Sequence, residues 1–192
     1  RTSGDSPVLN PATGLPDPGP VTTVGLPFVR AAGEIAAVVA VGGLLFAAFL
    51  VPPQASGVLD VAGYRAVRMA RAASIVWACC AALLVPLTLS DVSGKPLLEH
   101  LEPATMWQLA GLVDTAGAWR WTAFLALAVA AAASPVLRWS PTPVLLACAL
   151  LTLVPLGLTG HSAAGGSHDV AANSLLIHLF AGALWAGGLL AV

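Results

Sequence analysis

The stretch VRAAGEIAAVVAVGGLLFAAFLV, residues 29–51, decides what kind of chain this is. Its only charges are Arg30 and Glu34, both near its start, and Pro52-Pro53 ends it. A helix rises 1.5 Å per residue, so roughly 20 apolar residues cross a ~30 Å hydrocarbon core. Four further apolar segments follow, at about Ala72–Leu89, Trp121–Leu137, Val144–Thr159 and Val170–Val192. The last is also long enough to span; the middle three are shorter, and Val144–Thr159 contains Pro155. The expected fold is all-α, a polytopic transmembrane bundle with about five helices.

Composition points the same way. Of 192 residues, 58% are hydrophobic and 9% charged, and mean hydropathy is +0.88. Soluble domains carry roughly a quarter charged residues. So little charge cannot cover a soluble surface, and the expected solvent is a lipid bilayer. The net charge of −1 says nothing about nucleic acid, but no basic stripe is present to bind it, so no nucleic-acid partner is expected. No nucleophile–base pair, phosphate loop or acid pair is present, so the expected function is not enzymatic. Cys79, Cys80 and Cys148 all sit within apolar runs and form no CxxC motif. On a helix the first two point about 100° apart and cannot share a site.

Residues 1–27, with Pro16-Asp17-Pro18-Gly19-Pro20, read as an extended or disordered extracytoplasmic lead-in. Residues 28–192 form the expected transmembrane domain. The chain begins at Arg1 and stops at Val192 inside an apolar run, so both ends read as cut.

Cationic side chains tend to stay cytoplasmic. Arg65, Arg68 and Arg71 lie between the first two segments, and Arg138 between the third and fourth. The second-to-third connection has Lys95 against Asp91, Glu99, Glu102 and Asp114, and Gly160–Asp169 has neither Lys nor Arg. The Arg-bearing loops therefore face the cytoplasm. The N-terminus and the other two connections face outside. Residues 96–102 and 105–109 read as amphipathic turns at the outer interface. Trp107, Trp119 and Trp121 suit an aromatic belt there, and Trp139 one on the inner side.

This topology puts all four histidines on the outer side. His100 and Met106 fall in the second-to-third connection, His161 and His168 in the Gly-rich fourth-to-fifth loop, and His178 in the outer half of the last helix. Imidazole is a common copper and zinc ligand, and thioether sulfur favours Cu(I). Asp169 is placed to orient a ligating ring. His178 is an ionisable ring in an apolar helix, which is costly and usually functional. Its alternatives are a hydrogen-bonded packing residue or a haem ligand. Glu34 is either an ion-pair partner of Arg30, four residues earlier, or a carboxylate relay beside His178. His178, Gly182 and Trp185 share a helix face, and Gly182, Ala186, Gly187 and Gly188 allow close helix approach.

The runs Gly160-His161-Ser162-Ala163-Ala164, His168, Leu175-Leu176-Ile177-His178-Leu179 and Ala183-Leu184-Trp185-Ala186-Gly187-Gly188-Leu189 resemble the CopD copper-resistance family. The likeness is strongest to actinobacterial members that fuse a CopD-like region to a C-terminal cytochrome c oxidase assembly domain of the CtaG type. It is clear over 160–192 and diffuse earlier. The resemblance implies a multi-pass protein of the plasma or inner membrane that handles copper, for homeostasis or oxidase assembly. By motif position it implies His161, His168 and His178 as metal-associated residues; His100, Met106, Glu34 and Asp169 are further candidate ligands or relays from the topology and ligand chemistry above, not from the resemblance. Implied partners are respiratory oxidase subunits or a periplasmic copper donor. A haem-binding electron-transfer bundle and a respiratory scaffold are the alternatives.

Overall fold

The first helix starts where Asp17-Pro18-Gly19-Pro20 forces a turn. In the computed structural model, which describes residues 17–159 and 168–191, Asp17 Oδ1 accepts a hydrogen bond from Gly19 N at 2.9 Å. Gly19 has φ 90°, a backbone state that glycine adopts cheaply. Pro20 follows at the first helical position, where a missing N–H costs nothing. Helix α1 runs Pro20–Leu45 and continues through a π turn, Phe46–Leu50. The expected extended lead-in over 1–27 is thus corrected: residues 20–27 are the first two turns of α1. Residues 1–16 lie outside the described residues.

Helix α2, Val61–Ser93, is capped by Asp60, whose Oδ2 accepts from Ala62 N at 3.2 Å. It begins earlier than the apolar pattern suggests, because Arg65, Arg68 and Arg71 belong to its first turns and not to a loop. A 3₁₀ turn, Leu97–His100, leads to α3, Pro103–Leu112, and α4, Asp114–Ala132. The segment containing Pro155 is broken into α5, Thr142–Leu151, and α6, Val154–Thr159. Helix α7 spans His168–Ala191. Among the described residues the fold is all-helical, with one isolated antiparallel bridge, Val58–Arg138.

Two helices are long and apolar enough to cross a membrane: Pro20–Leu50, with 31 residues, and Val61–Ser93, with 33. Thr142–Leu158 and Ile177–Leu189 are shorter apolar helices. Helices α1 and α2 pack antiparallel along their length. At one end Thr22 meets Ser90, in the middle Gly33 makes room for Trp77, and at the other end Gly43 lies against Ala66. Ser90 Oγ donates to Lys95 O at 2.6 Å, so the Thr22 hydroxyl donates to Ser90 Oγ at 2.7 Å.

Trp77 is the hub. It is 2% exposed and meets Trp119 of α4 edge-on, with ring centroids 5.9 Å apart. Its Nε1 donates to Thr152 Oγ1 at 3.3 Å, in the break between α5 and α6. Thr122 Oγ1 donates to Thr152 O at 3.2 Å. The break thus exposes backbone that neighbouring helices satisfy, as apolar surroundings demand. Trp119 is buried here, which corrects its assignment to an outer aromatic belt.

At the opposite end of the bundle from Thr22 and Ser90, the α1–α2 connection and the α4–α5 connection, which carries Arg138, clasp each other. Leu59 N donates to Leu137 O at 2.9 Å, and Trp139 N donates to Gly57 O at 3.1 Å. Trp139 Nε1 donates to Ala48 O at 2.8 Å, satisfying a carbonyl freed at the end of α1. Trp139 is therefore a structural clamp as well as an aromatic near the helix ends.

Candidate functional site

Local sequence puts the candidate metal residues at the starts of α3 and α7. His100 closes the 3₁₀ turn, and His168 and Asp169 open α7. The side chains of these three lie outside the described residues, as do His161 and the rest of 160–167. Met106 sits on α3, partly buried and packed against the core. It lines a 370 Å³ cavity with Cys79, Trp107 and Arg120.

Glu34 is held by Arg30. Arg30 Nε donates to Glu34 Oε1 at 2.9 Å, and both side chains are more than half exposed, at 59% and 54%. Four-residue spacing on one helix face explains the pair. His178 is exposed on α7. Gly182 and Trp185 share its face, Trp185 at 73% exposure, and Leu189 on the same face is 63% exposed.

The opposite face of α7 is the one that packs. A Cβ on Gly187 would lie 2.7 Å from Gly42 Cα and 2.8 Å from Val38 O. Nine residues separate His178 from Gly187, which is half a turn of azimuth at 100° per residue. The contact that seats α7 on α1 therefore turns His178 away from α1. Among the described residues, no group of three or more His, Cys, Asp or Glu side chains is arranged to hold a metal ion. Cys79 is exposed, Cys80 buried and Cys148 partly buried, and all three are free thiols.

The sequence reading passed over Arg120. This residue follows Trp119 and precedes Trp121 near the start of α4. Its guanidinium carbon lies 4.4 Å from the Trp107 ring centroid and 6.0 Å from that of Trp121. Nη1 donates to Trp107 O at 3.2 Å, whereas Nε is buried without a partner. Trp107 and Phe124 meet edge-on at 5.9 Å. The local signal was a cation between two tryptophans, close to aromatics already assigned to an interface.

The long apolar helices and their satisfied breaks fit a membrane protein. Residues 21–169 match the copper resistance protein D-like N-terminal domain, and the chain belongs to that family. The family is the one expected, but the match covers the earlier helices, where the likeness had been read as diffuse, and most of α7 lies beyond it. Among curated relatives, an uncharacterized protein of Mycobacterium leprae is 27% identical over 176 residues, covering 92% of this chain and 27% of the relative. An uncharacterized protein of Mycobacterium bovis is 27% identical over 174 residues, covering 91% of this chain and 26% of its own length. The chain thus spans about a quarter of the length of the curated relatives it matches. No solved structure matches it.

Proposed function

We propose that this chain is the helical membrane region of a copper-handling protein, which moves or delivers copper from the extracytoplasmic side. Family membership over residues 21–169 is the observation that carries the reading. In it, α1, α2, α4, the α5–α6 pair and α7 each cross the plasma or inner membrane. The N-terminus, residues 94–113 and residues 160–167 lie outside. The clasp between residues 57–59 and 137–139 supports this arrangement, because it gathers Arg138 and the start of α2, with Arg65, Arg68 and Arg71, at one end.

Copper is the cargo and not a resident catalytic group, and no catalytic step is assigned to the chain. His161, His168 and His178 are the outer-side imidazoles that would receive it, with His100, Met106 and Asp169 nearby in the topology. Delivery to cytochrome c oxidase assembly, from a periplasmic donor, is the role that the fusion-type resemblance suggests. A scaffold reading has one observation in its favour: His178 faces away from the packed side of α7. The haem reading requires a second axial ligand from another helix.

The test is metal content and absorption of the purified chain, beside His178→Ala. The expected result is about one copper per chain, with no Soret band, reduced in the variant. A folded variant with unchanged copper removes His178 from the site. A preparation with neither copper nor haem supports the scaffold, and a Soret band supports the haem reading.

A further inference from the structure

The α1–α2 seam gives the bundle a depth scale. It runs from Thr22–Ser90 at one end to Gly43–Ala66 at the other, and the Gly33–Trp77 contact lies at its middle. Along α2, Arg65 and Arg68 stand about 18 Å and about 14 Å from Trp77 at 1.5 Å per residue. Half of a ~30 Å hydrocarbon core is about 15 Å, so both residues reach its edge. Long side chains on a helix lean towards its N-terminus, which here is away from the middle of the bundle. Arg138 stands at the same end, because its backbone bridges Val58, just before α2 begins. All three arginines are exposed. Arg71 lies deeper and its Nε is buried, so it is left out of this group.

Nothing in the fold neutralises these three cations. Asp60 is the one carboxylate over residues 43–72 and 133–142, and its Oδ2 is already engaged as the cap of α2. Among the described residues no ion pair involves Arg65, Arg68 or Arg138. Towards the other end the balance reverses: residues 91–114 carry Lys95 against Asp91, Glu99, Glu102 and Asp114. Tyr64 and Trp139 flank the arginines in sequence and suit the same interfacial depth.

We infer that the Arg65, Arg68 and Arg138 end docks on the headgroups of anionic phospholipids, which in the proposed topology are those of the cytoplasmic leaflet. The inference rests on the reading of α1 and α2 as membrane spans. A guanidinium pairs with a phosphate through two parallel hydrogen bonds. A zwitterionic headgroup sets its own cation beside that phosphate and offsets the attraction, whereas an anionic one does not. The end opposite, with its excess of carboxylates, makes no such selection.

The test uses the purified chain in phosphatidylcholine vesicles that hold a trace of lipid spin-labelled on its acyl chain, either phosphatidylglycerol or phosphatidylcholine. Electron paramagnetic resonance separates lipid held against the protein from fluid lipid. The expected result is about a threefold preference for phosphatidylglycerol at low salt. It falls to about one in about 1 M salt, where the screening length is about 3 Å. The triple variant Arg65→Gln, Arg68→Gln, Arg138→Gln brings it to about one at low salt, and lysine at the same three positions keeps most of it. Lys95→Gln, at the other end, leaves it unchanged. Equal association of the two lipids with the parent chain, a preference that survives the triple glutamine variant, or one lost in Lys95→Gln overturns the inference. The spectra also separate the two ways to fail. A preparation that immobilises neither lipid overturns the membrane reading and this inference together, whereas one that immobilises both equally overturns this inference alone.

Discussion

The α1–α2 seam and the outward face of α7 use the same residue types to opposite ends. In the seam, Thr22 finds Ser90, Gly33 admits the Trp77 ring, and Gly43 lies under Ala66. On α7, Gly182 has open space where a Cβ would go, and His178 and Trp185 beside it are exposed. Half a turn away, Gly187 is pressed onto Gly42. Glycine in an apolar helix therefore acquires its meaning from the neighbour it meets. Close approach without side chains gains dispersion contact, which is what draws helices together in lipid. The open face has not made that exchange, and it carries the most exposed tryptophan of the described residues.

The largest test of this contrast is Trp77→Ala. Removing the hub empties a site enclosed by Gly33, Trp119 and Thr152, and should cost about 3–5 kcal/mol. Thermal unfolding of the purified chain in detergent measures it; a shift close to zero would mean that the seam is not the stable part of the fold. Next comes the pair Gly187→Leu and Gly182→Leu. The first forces α7 off α1 and should cost about 1–3 kcal/mol, while the second should stay within about 0.5 kcal/mol. Equal costs would erase the distinction between the two faces. A large cost at Gly182 alone would show that this face is covered in the intact assembly. The smallest effect belongs to the Arg30–Glu34 pair, where a double-mutant cycle should yield under about 0.5 kcal/mol, because both groups are more than half exposed. A larger coupling would place the pair in a drier setting and return Glu34 to the candidate relay residues.

Helix α1 shows why its boundaries were harder to read than its existence. Composition over 1–27 is rich in Pro and Gly and favours a loop, yet Gly19-Pro20 is also a helix start, and only the packing of Thr22 against Ser90 selects that outcome. The arginines at 65, 68 and 71 were likewise legible as a charged run, but Asp60 as cap extends α2 beneath them. Trp119 and Trp121 differ by two positions on one helix, so they point to different sides. Trp119 meets Trp77, and Trp121 is 58% exposed. Arg120 between them became visible as a candidate site only when Trp107 closed over it.

By itself the sequence determined the helical class, the apolar segments, the charge-bearing connections and the family, because hydropathy and turn chemistry are local properties of the chain. Tertiary structure alone decided which glycines are contacts, which tryptophans are core, which way His178 faces and where Arg120 sits. The physical reason is that a helix in lipid is apolar all round. A face turned to its neighbours and a face turned to lipid then read alike, and the amphipathic stripe that orients a soluble helix is missing.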